Sequence, residues 1–175
     1  MKPDLSDLEA LARGAGEILR GGYPSRPSFQ NDLEIHYKST IDLVTRFDHE
    51  SEAYLLEEIR RRFPGDRILS EESGVLEGRR ENGLWVIDPL DGTVNFSHGI
   101  PIFGVSIAYA QDDRINLGVV YDPMRDEMFS AEQGKGAFLN GLPVRVSPVD
   151  ELDRSLLVTG FPYDIRTRSD TNLDE

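Results

Sequence analysis

The chain of 175 residues carries 32 acidic and 19 basic side chains, a formal net charge of −13 and no cysteine. Its length fits one domain, and the missing cysteines exclude disulfides and thiolate metal sites. The acidic balance argues against a partner bound through the nucleic-acid backbone, and no apolar run reaches the roughly 20 residues that span a membrane. The N-terminus also lacks the apolar segment of a secretion signal, so we expect a cytoplasmic protein.

Two helices are predicted in the first part of the chain. Apolar residues recur at spacings of three and four from residue 5 to residue 20, and Ser6 with Glu9 forms the expected capping box. A second helix is predicted from His49 to Phe63, with Asp48 placed to cap it. Each helix presents an apolar stripe, which favours packing against a core.

The rest of the chain is a series of short apolar segments separated by turn residues. We predict strands at Ile68–Leu69, Leu84–Ile87, Phe103–Ala110, Ile115–Tyr121, Glu127–Ala131, Val144–Val146 and Leu156–Thr159. The connections between them are tight, and tight turns join antiparallel neighbours more readily than parallel ones. The sequence therefore predicts an α+β fold, with helices layered on a mostly antiparallel sheet.

The strand at Leu84–Ile87 delivers a carboxylate at its end. Asp88 follows the strand directly, and Asp91 comes three residues later on a turn. These carboxylates can converge with the Leu90 carbonyl on one point, and hard oxygen ligands of this kind suit Mg²⁺. The alternative is that both aspartates serve only to form the turn.

Two further polar stretches could contribute to the same site. Glu71 follows a short apolar strand, and it would lie beside Asp88 if that strand neighbours Leu84–Ile87. Carboxylates so close together repel one another, so their assembly requires cations. Taken alone, Glu71 is also typical of a solvated loop, and the stretch that carries Lys38 and Asp48 is typical of a loop with a helix cap.

Together these stretches resemble the inositol monophosphatase family, a group of Mg²⁺-dependent, Li⁺-sensitive phosphatases. The resemblance rests on Lys38 with Asp42-Leu43-Val44-Thr45 and Asp48, on Glu71-Glu72-Ser73, on the signature W-V-I-D-P-L-D-G-T-V-N-F at 85–96, and on Gly99-Ile100-Pro101. It extends over almost the whole chain, so residues 1–175 are expected to form one domain of this family, whose fold is an αβαβα sandwich.

The resemblance implies a site with two or three Mg²⁺ ions, which Mn²⁺ could replace. It makes Glu71, Asp88 and the Leu90 carbonyl ligands of the first ion. Asp88 and Asp91 would share the second ion. Lys38, with Asp48, would lie near a third ion held through water.

The resemblance also implies how the reaction would proceed. The residues implied to act in catalysis are Thr93, Asp48 and Glu71. Those implied to bind the substrate are Asp91, Gly92 and Thr93, with the Gly92 and Thr93 amides on the phosphate. Thr93, paired with Asp48, would orient and deprotonate the attacking water.

The segment Thr93–Phe96 is similar to the inositol phosphatase branch, so the expected activity is hydrolysis of inositol monophosphate or a related sugar phosphate. Fructose 1,6-bisphosphatase activity, nucleotide 3'-phosphatase activity and a non-catalytic interaction role with transcription or ribosome machinery are alternatives. Members of the family commonly form dimers. They also continue into a second sheet with a Trp-Asp motif that this sequence lacks. We therefore expect a chain that is incomplete at its C-terminus, binds metal weakly and turns over poorly or not at all.

Overall fold

The computed structural model of the chain describes residues 2–23, 36–37, 43–76, 78–79, 83–158 and 160. Its helices are α1 (Leu5–Gly22), α2 (Arg46–Arg62) and α3 (Thr93–Ser97), and a short 3₁₀ turn covers Leu152–Arg154. Its strands are β1 (His36–Tyr37), β2 (Leu43–Val44), β3 (Arg67–Ser70), β4 (Gly74–Leu76), β5 (Leu84–Asp91), β6 (Gly104–Gln111), β7 (Arg114–Asp122), β8 (Glu127–Glu132), β9 (Gly136–Leu139) and β10 (Leu142–Val144).

The first helix begins where the apolar periodicity predicts, but its cap is a different pair of residues. The Asp4 side chain accepts a hydrogen bond from the Asp7 N–H at 3.1 Å, and the Asp7 side chain accepts one from the Asp4 N–H at 3.0 Å. The predicted capping box of Ser6 and Glu9 is therefore wrong. The Ser6 hydroxyl instead donates to Asp4 Oδ1 at 2.6 Å.

The second helix begins three residues before the predicted start at His49. Thr45 is its N-cap, and Asp48 occupies the third helical position, where Oδ2 accepts the Thr45 N–H at 2.8 Å. The prediction of Asp48 as the cap is therefore wrong. This difference matters for the site, because the other carboxylate oxygen of Asp48 accepts a hydrogen bond from Thr93, in another segment.

The main sheet confirms the predicted α+β layout of helices on a mostly antiparallel sheet. Its eight strands lie in the order β10-β9-β8-β7-β6-β5-β3-β4, and within the described residues β3 and β5 are the one parallel pair. Residues 156–158, predicted as part of a strand, belong to none. Leu156 and Val158 are fully exposed, and no strand among the described residues pairs with them.

Both long helices pack on the same face of this sheet. The helix α1 contacts β6, β7 and β8, and α2 contacts α1 and β5. The core between these layers is built from Leu8, Leu11, Leu19, Leu55, Ile59, Trp85, Ile87, Val105, Ile107, Tyr109, Val119, Tyr121 and Met128. On the opposite face, Val86, Val120 and Phe129 are exposed by 36%, 44% and 41%, so the helices of the described part leave this face open.

The helices themselves are ordinary amphipathic ones. None in the described ranges combines the length and the apolar character needed to cross a bilayer.

Candidate active site

The parallel pairing of β3 with β5 brings two acidic residues together. Ser70 lies opposite Ile87 in the register, and the Glu71 N–H donates to the Ile87 carbonyl at 3.2 Å. The carboxyl ends of parallel strands meet at the same edge of a sheet, so the next residue on each strand lies at that edge. Glu71 and Asp88 are consequently neighbours, and burial together with the charge of Glu71 raises the pKa of Asp88.

A third carboxylate, Asp91, lies three residues further along β5, and its charge adds to burial and to the charge of Glu71 in raising the pKa of Asp88. Strand β5 continues to Asp91, but its pairing with β6 is interrupted between Asp88 and Asp91. Pro89 lies within this interruption and has no N–H to offer the ladder. The Leu90 N–H instead donates to Asp88 Oδ1 at 3.1 Å, while the Leu90 side chain is buried.

A glycine turns the chain from β5 into the short helix α3. Gly92 has a φ of +98°, and a Cβ atom there would lie 3.1 Å from the Ile102 carbonyl oxygen. The five residues of α3 were absent from the sequence prediction, because they are too few to show helical periodicity. Phe96 anchors this helix in the core, with its ring centroid 5.0 Å from that of Phe103 and 5.6 Å from that of Phe47.

The hydroxyl of Thr93 lies between two acceptors. It is 3.0 Å from Asp48 Oδ1 and 3.1 Å from the Leu90 carbonyl oxygen, and one hydroxyl proton can be donated to only one of them at a time. The Asp48 carboxylate is buried, and its Oδ2 is occupied by the N–H and the hydroxyl of Thr45. Burial raises the pKa of Asp48, and the hydrogen bonds from Thr45 and Thr93 oppose that effect.

Electrostatic repulsion is concentrated at Asp88. Burial, followed by the charge of Glu71, their mutual hydrogen bond and the charge of Asp91, raises the pKa of Asp88 from 3.8 to about 8. In the absence of a cation this carboxyl group therefore keeps a proton at neutral pH. A bound cation would favour the ionised form instead, because an opposite charge at this distance stabilises the carboxylate.

The oxygen donors at this edge fit Mg²⁺. The described ranges contain no group of three or more histidine, cysteine, aspartate or glutamate side chains already arranged around one point. Mg²⁺ is commonly held by one or two carboxylates and keeps several water molecules, so a carboxylate pair with a backbone carbonyl suffices. Lys38, predicted near a third ion, lies outside the described residues.

The helix α2 contacts the site at two further positions that the sequence interpretation missed. The Ser51 hydroxyl donates to the Pro89 carbonyl at 2.8 Å, and the Glu52 carboxylate accepts hydrogen bonds from Ser70 and Ser73. Both residues follow Asp48 at helical spacing, by three and four positions. Polar residues on the buried stripe of an amphipathic helix were the signal that could have identified them.

A cavity of about 320 Å³ opens beside the acidic edge. Asp91, Gly92 and Asn95 form its wall next to the carboxylates. The remaining wall includes Asp122 and apolar side chains such as Phe129. A small polar molecule could therefore lie against both hydrogen-bonding groups and an apolar surface while reaching Asp91, which is the one residue of the acidic edge in the cavity lining.

Comparisons with known proteins agree with these features. Residues 2–173 match the model of the inositol monophosphatase family. The Nus factor SuhB of Pasteurella multocida (strain Pm70) is 45% identical over 163 residues, which are 93% of this chain and 60% of that protein. The solved inositol monophosphatase from Anabaena (Nostoc) sp. PCC 7120 shares 43% identity with a TM-score of 0.80, over 97% of this chain and 59% of that one.

A solved structure described as an inositol monophosphatase-fructose 1,6 bisphosphatase shares 30% identity, with a TM-score of 0.72, over 86% of this chain and 57% of that one. The chain thus spans about 60% of the length of the first curated relative that it matches. Since the family model covers nearly every residue and the fold agrees with solved members, the chain belongs to the inositol monophosphatase family.

Proposed function

We propose that the chain acts as a Mg²⁺-dependent phosphomonoester hydrolase on inositol monophosphate or a related sugar phosphate. The observation that carries the proposal is the pairing of Glu71 with Asp88 at one sheet edge, within reach of the charge of Asp91, beside the hydrogen-bonded pair of Thr93 and Asp48. The family is generally Mg²⁺-dependent, which agrees with an acidic edge that needs cations. Mg²⁺ at this edge would neutralise the phosphate and make a water molecule more acidic.

In this proposal each residue at the edge has a distinct task. Glu71, Asp88, Asp91 and the Leu90 carbonyl would hold Mg²⁺. The Thr93 N–H, at the first position of α3, has no partner within the helix, and it would bind a phosphate oxygen together with the amide of the N-cap Gly92. Asp91 also faces the cavity, where its carboxylate could accept a hydrogen bond from a substrate hydroxyl.

The pair of Thr93 and Asp48 would move the proton of the attacking water. The water gives a proton to Thr93 Oγ1 as the hydroxyl passes its own proton to Asp48 Oδ1 across 3.0 Å. The water oxygen then bonds to phosphorus, the ester P–O bond breaks, and the leaving alkoxide takes a proton from solvent. Burial raises the pKa of Asp48, which makes it a better proton acceptor than an exposed aspartate.

Phosphate release with Mg²⁺ and with EDTA tests the activity and ranks the substrates. The substrates are inositol 1-phosphate, fructose 1,6-bisphosphate and adenosine 3',5'-bisphosphate, and the control variant is Asp88→Asn. We expect EDTA-sensitive release that is greatest with inositol 1-phosphate, inhibited by Li⁺ and absent in the variant. Release that persists in EDTA or in Asp88→Asn would contradict the proposed metal site.

A second candidate function is a non-catalytic interaction role. It is favoured by the name of the similar Pasteurella protein, Nus factor SuhB. A chain that binds Mg²⁺ but releases no phosphate from any of the three substrates would support this role over catalysis.

Homodimer formation and a cytoplasmic location are part of the same proposal. Light scattering should give a mass near twice the 19.7 kDa of one chain. Cell fractionation should recover the protein with the cytosol. A mass of one chain at micromolar concentration would contradict the dimer.

A further inference from the structure

The segment that carries Glu71 is held by residues on either side of it. Glu71 begins the turn that follows β3, and its side chain is exposed. Ser70, just before Glu71, and Ser73, two residues after it, are both held by one residue of α2. Fixing these two residues fixes the backbone from which Glu71 projects.

Glu52 is the residue that holds them, and only 5% of its surface is exposed. Its Oε1 accepts hydrogen bonds from the Ser70 hydroxyl and, at 3.0 Å, from the Ser73 N–H. Its Oε2 accepts the Ser73 hydroxyl at 2.8 Å. Burying a carboxylate is costly unless donors replace its water, and here three donors from one short segment do so.

We propose that Glu52 is a positioning residue that keeps Glu71 beside Asp88, in place for a divalent cation. This inference rests on the proposed function, because it assigns Glu52 a purpose only if the acidic edge binds metal. The helix suits that purpose, since Asp48 lies one turn before Glu52 on the same face and holds Thr93. One rigid helix thus supports both sides of the site.

The proposal requires Glu52 to act through its hydrogen bonds and not through its charge. In Glu52→Gln the amide oxygen can replace Oε1, and the Ser73 hydroxyl can turn to accept from the new amide N–H. That variant loses the charge but keeps the segment in place. In Glu52→Ala both the charge and all three hydrogen bonds are lost, so the two variants separate the two roles.

Binding of Mn²⁺ to the full chain, measured from the free-ion electron paramagnetic resonance signal, tests this distinction. We expect Glu52→Ala to weaken Mn²⁺ binding about tenfold or more, and Glu52→Gln to remain within about threefold of the unchanged chain. Glu50→Gln is the matched charge control, because Glu50 is exposed on the same helix, 3.9 Å from Arg46 Nε. We expect that control to bind Mn²⁺ like the unchanged chain.

Two further measurements guard against a variant that simply unfolds. Ser73 is exposed, so Ser73→Ala removes one bond to Glu52 without opening the core, and we expect a partial loss of Mn²⁺ affinity. Exchange of the Ser73 amide hydrogen, followed by NMR without metal, should be faster in Glu52→Ala and nearly unchanged in Glu52→Gln. This second readout does not depend on metal binding.

Each outcome decides one of the two claims. Equal Mn²⁺ affinity in Glu52→Ala and the unchanged chain would overturn the positioning role, and so would equal losses in the alanine and glutamine variants. If the unchanged chain binds no Mn²⁺, the proposed function itself fails. Faster Ser73 exchange in Glu52→Ala would then leave Glu52 as a support of the turn and nothing more.

Discussion

Binding of Mg²⁺ near neutral pH should expel a proton from the acidic edge. The pKa of Asp88 is raised to about 8 by burial and by the neighbouring charge of Glu71. At pH 7, one unit lower, about 90% of this carboxyl group holds a proton in the metal-free chain. A carboxylate ligand must be ionised, so each bound Mg²⁺ should release close to one proton at pH 7.

The raised pKa of Asp88 also predicts how the affinity for Mg²⁺ changes with pH. Below pH 8 the proton competes with Mg²⁺, so the apparent affinity should fall by up to about tenfold for each unit of pH. Above pH 8 it should level off. The raised pKa of Asp88 also makes the free energy of unfolding of the metal-free chain depend on pH. The stabilising contribution of Asp88 is fully present below pH 3.8 and is lost as the pH rises through about 8.

Isothermal titration calorimetry in two buffers with different ionisation enthalpies counts the released protons directly. We expect about 0.9 proton per Mg²⁺ at pH 7 and almost none at pH 9.5, where the carboxyl group is already ionised. Asp88→Asn should remove both the released proton and most of the affinity. Tight binding at pH 7 with no dependence on the buffer, or equal affinity at pH 6 and pH 8, would refute the reasoning.

Three further pairs of substitutions, each with its own comparison variant, test the elements that hold the site. Thr45→Ala removes the cap of α2 and should cost about 0.5–2 kcal/mol of unfolding free energy. Ser6→Ala, at the position wrongly predicted as a cap, should change the unfolding free energy by less than about 0.5 kcal/mol. Urea unfolding measures both changes, and equal effects would contradict the assigned caps. Phe96→Ala should cost about 3–5 kcal/mol, because the ring is fully buried, and Phe96→Leu should cost clearly less by thermal unfolding. Gly92→Ala should destabilise the chain by more than Gly134→Ala. Both glycines have positive φ, but only at Gly92 would the added carbon lie 3.1 Å from a backbone oxygen, that of Ile102. Equal melting temperatures in the two variants would show that the close contact is relieved without cost.

The parts of the fold that could be predicted from sequence are those set by local patterns. Alternating apolar residues and tight turns are sufficient to predict the antiparallel strands β6, β7 and β8. The caps were harder, because Asp4 with Asp7 and Ser6 with Glu9 satisfy the same three-residue spacing. A local pattern that fits two neighbouring positions cannot choose between them.

The site was predictable only in part, for a different reason. The motif at Asp88–Asp91 is contiguous, but the turn predicted there is wrong, because β5 continues to Asp91 with an interrupted pairing and the chain turns only at Gly92. The proximity of Glu71 to Asp88 depends on the parallel pairing of β3 with β5, which no local sequence pattern specifies. The roles of Ser51 and Glu52 are harder still to predict, because their contacts form only after α2 has packed on the sheet.

The most direct test of the central claim is a crystal structure of the chain soaked with Mn²⁺ and measured at the manganese absorption edge. The account predicts an anomalous peak at the sheet edge, in contact with the carboxylates of Glu71 and Asp88 and the Leu90 carbonyl, and its loss in crystals of Asp88→Asn. A soaked crystal with no peak at this edge, or with an equal peak in the variant, would contradict it.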